Sequence, residues 1–192
     1  MRSSVIKKGT WLASFMLAVC LCAHAEVKLP AIFSDGMVMQ QQTKANLWGT
    51  ATPNKKITVT TGWNGKQYVA TADKNGAWKL SVSTPEAGGS YSITFNDGSK
   101  KTLNNILIGE LWLCSGQSNM EMPMKGFKNQ PVENANMDIL RSKNPNIRLF
   151  TVKRTSTFTP QTDVVGTWKE ATPANVRDFS ATAYYFGRLI NE

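Results

Sequence analysis

Histidine and cysteine are scarce in this sequence. Its 192 residues include one histidine, His24, and three cysteines, Cys20, Cys22 and Cys114. Histidine is the usual general base beside a serine nucleophile, and His and Cys supply most zinc ligands. Only Cys114 lies beyond the first 25 residues, so a chain without that segment has no imidazole and no intramolecular disulfide. The remaining carboxylates show no metal-ligand spacing, and we expect neither a metal nor a cofactor.

The first 25 residues have the three parts of a secretory signal. A basic start is followed by an apolar stretch from Trp11 to Cys22 and by the small-x-small site Ala23-His24-Ala25. The apolar stretch is shorter than the roughly 20 residues that cross a membrane. We predict a signal peptide at residues 1–25, export to the periplasm or secretion, and no membrane span after cleavage. Lipid attachment at a leader cysteine is a minor alternative.

The positive charge is modest and scattered. The formal net charge is +9, and three of those charges, Arg2, Lys7 and Lys8, lie in the leader, which leaves +6. Nucleic-acid binding requires basic residues clustered on one face or helix within a recognisable module. The sequence has only pairs such as Lys55-Lys56, and these are typical of a solvated surface. No nucleic-acid partner is expected.

Residues 26–104 show short alternating runs separated by tight-turn signals. Asn64-Gly65, Asn75-Gly76 and Asp97-Gly98 are pairs that favour the positive φ values of two-residue hairpin turns. Several strands at this spacing predict a β-sandwich domain. The predicted strands are Lys56–Thr61, Gln67–Ala72, Ala77–Val82, Ser90–Asn96 and Ser99–Leu103.

Three tryptophans of this segment, Trp48, Trp63 and Trp78, have two interpretations. They could form a platform on which sugars stack, or they could belong to the core, which is the commoner role of aromatics in small sandwiches. Trp48 and Trp78 lie within predicted strands, and we assign them to packing. Trp63 lies beside the Asn64-Gly65 turn and stays a candidate for sugar contact.

From residue 105 the pattern changes to α/β. A nearly continuous apolar run reaches Cys114, as in strands that are covered on both faces. A helix is predicted from Val132 to Arg141, a strand from Ile147 to Val152, and a helix from Ser180 to Ile190, with Ala183, Phe186, Gly187 and Ile190 on one face. Trp168 is a predicted anchor in an irregular segment. These elements are too few for a closed three-layer domain.

The segment from Gly109 to Met124, GELWLCSGQSNMEMPM, carries the candidate chemistry. In parallel sheets ligands bind beyond the carboxyl ends of the strands, so Ser118 is placed where substrates bind. Gly116 is expected to allow a tight turn beneath it. The alternative is a polar turn in which Ser118 only bonds nearby backbone, because Gly-x-Ser without a following Gly is not the nucleophile-elbow signature.

The exact words favour the nucleophile. Glu-Leu-Trp-Leu-Cys-Ser followed by Gly-Gln-Ser-Asn-Met resembles the nucleophile block of the sialate O-acetylesterases and related carbohydrate acetylesterases of the SGNH hydrolase superfamily. Residues 29–40, LPAIFSDGMVMQ, are similar to the start of the family's amino-terminal β-domain. Phe179-Ser180-Ala181 and Tyr184 to Arg188 are similar to its helix before the second sequence block.

The resemblance implies an architecture of two domains. The fold class is α/β and all-β: an amino-terminal β-sandwich at residues 26–104, followed at 105–192 by the start of an incomplete SGNH-type three-layer α/β hydrolase domain. The resemblance covers only the amino-terminal portion of the family. The chain is therefore expected to be a fragment or a truncated product.

The resemblance also implies catalytic roles. Ser118 is the catalytic nucleophile, and Gln117 and Asn119 bind substrate or orient the loop, with local hydrogen bonding as an equal alternative. The family's triad Asp and His, and its remaining oxyanion donors, have no matching positions here. Glu110 and Glu121 are not expected to replace the base, because a carboxylate serves poorly unless its pKa is raised.

The predicted function is that of a serine carboxylic-ester hydrolase of the sialate O-acetylesterase type. Its substrate is an O-acetylated sugar or glycan, either sialic acid or another acetylated sugar, and the fragment alone is expected to be inactive. The alternative is a non-catalytic secreted β-sandwich module that binds glycans and carries a remnant esterase segment. The oligomeric state stays open.

Overall fold

A computed structural model describes residues 26–192 of the chain. The predicted signal peptide at residues 1–25, with His24 and two of the cysteines, lies outside the described residues. The folded part begins almost at once. Val27 is buried, and Lys28 and Thr50 exchange backbone hydrogen bonds of 2.8 and 2.9 Å.

Seven strands form two sheets in the first part of the chain. A five-stranded mixed sheet has the order β1-β7-β6-β3-β4, in which β1 and β7 are parallel and the other neighbours antiparallel. Strands β2 and β5 form a separate antiparallel pair. The strands are β1 Val38–Gln40, β2 Lys44–Thr50, β3 Lys56–Thr61, β4 Gln67–Thr71, β5 Ala77–Ser83, β6 Gly88–Asn96 and β7 Lys100–Gly109.

The two sheets share one hydrophobic core. Alternation along β3 buries Ile57 and Val59, and Leu47 of β2 and Val82 of β5 belong to the same cluster as Phe95 of β6. A side-chain period of two turns every second residue of a strand toward the other sheet. This packing confirms the mostly β character that the turn signals predicted.

Two of the three predicted hairpin turns join paired strands. Asn64-Gly65 connects β3 to β4, and Asp97-Gly98 connects β6 to β7, with φ of 68° at Gly65 and 112° at Gly98. The hairpin at Asn75-Gly76 is wrong, because β4 and β5 belong to different sheets. The turn at Asn75-Gly76 therefore leads from one sheet to the other. Gly76 has a φ of 82°, and a Cβ there would lie 2.5 Å from the Ala51 carbonyl oxygen, so a larger residue does not fit.

The tryptophans of this part are packed. Trp78 is 3% exposed and lies 6.0 Å from the ring of Phe95, and Trp48 meets Phe33 edge-on at 4.5 Å. Trp63 is half-buried, and its indole N–H donates to the Ser83 carbonyl at 3.0 Å. The core interpretation therefore holds for Trp78, and Trp63 also has an intramolecular partner.

The predicted buried strand that ends at Cys114 is wrong in its second half. Strand β7 ends at Gly109, and residues 111–114 are exposed and outside any strand. The reason is strand pairing. Strands β6 and β1 pair with β7 only as far as Gly109, and no described strand lies beside Leu111 to Cys114. The proposed domain boundary at residue 104 thus falls within β7, and the two-domain division stays a prediction.

The second part of the chain combines short helices with a two-stranded sheet. Strands β8 and β9 are antiparallel, and the predicted helices at residues 132–141 and 180–190 appear with shifted bounds. The elements are α1 Ser118–Glu121, α2 Ala135–Leu140, β8 Asn144–Phe150, β9 Trp168–Ala171, α3 Pro173–Val176 and α4 Ala181–Asn191. A second hydrophobic cluster contains Met124, Ile147, Leu149, Ala171, Val176, Ala181 and Tyr184.

The predicted apolar face of α4 is only partly correct. Ala183 is buried, but Phe186 and Ile190 are exposed, and the largest buried side chain of the helix is Tyr184. Helix α4 packs through Ala181 and Tyr184 onto the second cluster. Leu189 and Ile190 of the same helix are exposed.

Several hydrogen bonds join the second part to the first. The Trp168 indole N–H donates to the Ile32 carbonyl at 2.8 Å, which confirms Trp168 as an anchor. Arg148, whose side chain is 3% exposed, donates to Asn105 Oδ1 at 3.1 Å and lies 3.4 Å from a Glu170 carboxylate oxygen. Within residues 26–192, the helices are too short or too polar to cross a membrane.

Candidate active site

Ser118 begins the short helix α1 at the end of an exposed loop, residues 110–117, here called the nucleophile loop. The Gln117 carbonyl accepts hydrogen bonds of 3.0 Å from the backbone N–H groups of Met120 and Glu121, and the Ser118 carbonyl accepts one from Met122. These bonds form a single helical turn. The turn presents Ser118 to solvent.

The entry of the nucleophile loop is fixed to strand β1. The side chains of Gln40 and Gln41 donate to the Glu110 carboxylate at 2.9 and 2.7 Å, and Leu111 N donates to Gln40 Oε1 at 2.9 Å. The hydrogen bond from Gln41, followed by that from Gln40, lowers the pKa of Glu110. Glu110 is therefore an anchor with an even weaker proton affinity than usual, and it is unsuited to act as a base.

The exit of the loop is fixed to the start of α4. Ala181 N donates to the Met122 carbonyl at 2.8 Å and Met124 N to the Phe179 carbonyl at 2.9 Å, which makes a short antiparallel contact. The Thr182 hydroxyl donates to the Asn119 carbonyl at 3.1 Å. These contacts explain why two distant sequence blocks resembled the same family: they touch.

The three predicted site residues are exposed neighbours. Among residues 26–192, the side chains of Gln117, Ser118 and Asn119 form no hydrogen bond, so the local-bonding alternative for Gln117 and Asn119 finds no side-chain partner. Their functional roles stay predictions. Gly116 lacks a positive φ; a Cβ there would lie 3.2 Å from Met120 Cβ, so this glycine provides room for Met120 and no special turn.

No general base lies in the described part of the site. Residues 26–192 contain no histidine. The nearby Glu121 carboxylate forms an ion pair of 2.7 Å with Arg154, and both partners are largely exposed. The described residues also contain no group of three His, Cys, Asp or Glu side chains placed to hold a metal. Ser118 thus has no proton acceptor among the groups that the structure describes.

Apolar side chains surround the nucleophile loop, and sequence reasoning had placed some of them in a buried strand. Trp112 meets Phe186 of α4 edge-on at 5.0 Å, and Leu113 is 92% exposed. Leu111, Leu189 and Ile190 are also exposed, and these side chains together with Trp112, Leu113 and Phe186 are here called the apolar face. This face lies next to Ser118 in sequence and joins the loop to α4.

Comparison with known proteins gives a consistent result. No protein-family model matches the chain. The chain is similar to the sialate O-acetylesterases of Pongo abelii, with 25% identity over 179 residues, and of Rattus norvegicus, with 26% identity over 200 residues. These matches cover 84% and 95% of this chain but 34% and 36% of the relatives. The chain thus spans about a third of the length of the curated relatives.

One solved structure is similar over most of the chain. It is the crystal structure of a carbohydrate acetylesterase from Xanthomonas citri, with a TM-score of 0.80 and 31% sequence identity. The match covers 86% of this chain and 37% of that one. The fold of the described residues is therefore that of part of a carbohydrate acetylesterase.

Proposed function

We propose, on the premise that this chain belongs to the sialate O-acetylesterase family and matches its amino-terminal portion, that Ser118 is the nucleophile of a serine carboxylic-ester hydrolase. The observation that carries the proposal is an exposed Ser118 side chain held on a loop that is anchored at both ends. Anchoring matters because a nucleophile misplaced by about 1 Å loses much of its rate advantage. The substrate is an O-acetyl ester on sialic acid or another sugar.

The reaction follows from the chemistry of a serine hydroxyl. The Ser118 oxygen attacks the acetyl carbonyl carbon, its proton passes to a base, and the sugar oxygen leaves with a proton. Water then attacks the acetyl-enzyme and releases acetate. The backbone N–H of Ser118 forms no hydrogen bond among the described residues and can donate to the oxyanion of the intermediate.

The chain alone is proposed to be inactive. A serine without a base is a weak nucleophile, and both nearby carboxylates are already paired. The base, its orienting carboxylate and the other oxyanion donors are proposed to come from polypeptide that corresponds to the remaining two thirds of the relatives. Gln117 and Asn119 are proposed to contact the substrate.

The test joins this chain to the part of the Xanthomonas citri acetylesterase that it does not match, and measures hydrolysis of p-nitrophenyl acetate. We expect Ser118→Ala to lower kcat at least about 10³-fold, because the acetyl-enzyme cannot form. Cys114→Ala is the matched control, since its thiol is exposed in the same loop. If the Cys114 variant lost activity and the Ser118 variant kept it, the assignment of Ser118 as the nucleophile would be wrong.

The second candidate is a secreted β-sandwich module that binds glycans without catalysis. The separate hydrophobic core of strands β1–β7 favours it, because such a core can persist without the second part. An active joined protein that depends on Ser118 excludes this candidate. An inactive one that still binds glycans supports it.

Export is proposed from the leader sequence. The first hydrogen-bonded contact of the fold, between Lys28 and Thr50, lies just past the predicted cleavage site, so removal of residues 1–25 leaves the described fold complete. Expression in a Gram-negative host, followed by mass spectrometry of the periplasmic fraction, should find a chain that begins at Glu26. A full-length chain confined to the cytoplasm would contradict the proposal.

A further inference from the structure

The long connection between β8 and β9, residues 151–167, forms a loop with a fixed base, here called the 151–167 loop. Lys153 N donates to the Val165 carbonyl at 2.7 Å and closes the base. The returning limb is tied to the first part of the chain: Asp163 Oδ1 accepts from Ala31 N at 2.8 Å, and the Trp48 indole N–H donates to the Thr162 carbonyl at 3.3 Å. The base is thus held by both parts of the chain.

The tip of this loop holds its shape through its own side chains. The Thr157 hydroxyl donates to the Thr159 carbonyl at 3.0 Å, and Thr159 N donates back to that hydroxyl at 3.1 Å. The Gln161 amide N–H group also donates to the Thr159 carbonyl at 3.0 Å. Phe158, between the two threonines, is fully exposed. An aromatic side chain on an internally bonded tip is presented to a ligand at low entropic cost.

The loop lines an open concavity of about 500 Å³. This volume falls in the range of about 300–1,000 Å³ that is usual for small-molecule sites. The lining combines apolar groups with hydroxyl, amide, ammonium and carboxylate groups; it includes Val152, Lys153, Thr155, Phe158, Gln161 and Asp163. The lining contains one cation, Lys153, and one anion, Asp163, so its formal net charge is zero.

The position of the loop connects it to Ser118. Arg154 lies on the outgoing limb, and its guanidinium contacts the Glu121 carboxylate at 2.7 Å. Glu121 is the last residue of the helical turn that Ser118 begins. One limb of the 151–167 loop is therefore tied to the helical turn that Ser118 begins.

We infer that the 151–167 loop is a binding site for a neutral sugar ring of the glycan that carries the acetylated residue. A sugar ring presents C–H groups on its faces, which pack against an aromatic ring such as Phe158, and hydroxyls at its edge, which both donate and accept hydrogen bonds. Lys153 supplies donors and Asp163 an acceptor, so a neutral polyol fits this lining better than an anion does. The inference rests on the proposed function for the presence of a glycan, but it does not require Ser118 to react.

Ligand-observed NMR titration of the chain tests the inference with three probes. 3′-Sialyllactose and xylotriose carry neutral rings from an animal-type and a plant-type glycan, and free N-acetylneuraminic acid carries none. We expect saturable binding of at least one oligosaccharide and weaker binding of the free acid. Phe158→Ala should lower the affinity for the oligosaccharide roughly tenfold, whereas Phe158→Tyr should retain the affinity. The preferred oligosaccharide identifies the source of the glycan.

Two further variants make the outcome specific. Cys114→Ala, an exposed change in the nucleophile loop, and Val69→Ala, an exposed apolar truncation on strand β4, should both bind as the unchanged chain does. Thermal unfolding of the Phe158 variants should match the parent, because the side chain is fully exposed. If neither oligosaccharide binds saturably, or if Phe158→Ala binds as the parent does, the inference is wrong, and the assignment of Ser118 is unaffected.

Discussion

Arg148 is the residue on which the contact between the two parts of the chain depends most. Its guanidinium is almost wholly buried and donates to Asn105 of β7 and to the Pro145 carbonyl, while Glu170 of β9 stands 3.4 Å away. Glu170 is half-exposed, so water covers part of its charge. The arginine is therefore held by several partners, and each partner loses a donor if it is removed.

The first prediction concerns this residue. Arg148→Met should lower the free energy of unfolding by about 1–3 kcal/mol, because it removes the two hydrogen bonds that the buried guanidinium donates. Denaturant unfolding, followed by tryptophan fluorescence, measures the change. Arg154→Met is the matched control: its ion pair with Glu121 is exposed, and its loss should cost less than about 1 kcal/mol. Equal losses in both variants would remove the special role of Arg148.

At the scale of elements, α2 and α4 are held together by one carboxylate. Asp138 of α2 accepts hydrogen bonds of 2.7 Å from the Tyr185 hydroxyl and from the Arg188 guanidinium of α4. The hydrogen bond from Arg188 comes first among the causes that lower the pKa of Asp138, and that from Tyr185 second. Burial, with the hydrogen bond to Asp138, raises the pKa of Tyr185 to about 12.

The second prediction is a pH dependence. Because the pKa of Asp138 is lower in the folded chain, its contribution to stability is present above the unfolded value of about 3.9 and is lost as the pH falls through the folded value. The melting temperature should therefore fall more steeply below about pH 4 in the parent than in Asp138→Asn. Melting curves measured by circular dichroism between acid and neutral pH provide the comparison.

The contradicting outcome and the control concern the same limb of the curve. If the melting temperatures of the parent and of Asp138→Asn fell equally steeply below about pH 4, the α2–α4 contact would not titrate. Asp178→Asn is a matched control on another carboxylate with a lowered pKa, which is held by Lys125 and does not take part in the Asp138–Tyr185–Arg188 contact. It should flatten the acid limb without changing the contact between α2 and α4.

At the scale of the whole molecule, the apolar face beside the nucleophile loop is the feature that most affects behaviour in solution. Leu111, Trp112 and Leu113 stand exposed next to the uncovered side of α4, with Leu189 at 70% exposure. Several exposed large apolar side chains in one loop and one helix indicate an interaction site or a tendency to aggregate. The chain matches about a third of the length of its relatives. In those relatives, the remaining two thirds of the polypeptide are available to cover the corresponding face.

The third prediction follows from that face. We expect the chain alone to self-associate with rising concentration, and Leu113→Lys combined with Leu189→Lys to reduce the association. Analytical ultracentrifugation over a concentration series measures it. Val69→Lys, at an exposed position on β4, serves as the control and should leave association unchanged. A monomeric parent over the whole series would contradict the prediction.

The short-range features of this protein were determined by its sequence alone. Alternation between Lys56 and Thr61, with the glycine turns after β3 and β6, defines strands and hairpins through contacts among neighbours in the chain. The apolar spacing after Ser180 predicted α4 for the same reason. The five-residue word around Ser118 indicated the family because a chance match of that length is rare.

Only the tertiary structure decided where those elements find partners. It ended β7 at Gly109, turned Phe186 and Ile190 of α4 outward, and joined the Ser118 turn to α4 through Thr182. Each outcome depends on side chains or strands far away in sequence, and local propensity carries no information about them. Burial and pairing are properties of the assembled chain, and this is why the apolar run at Leu111–Cys114, which predicts a buried strand, stands exposed beside the proposed nucleophile.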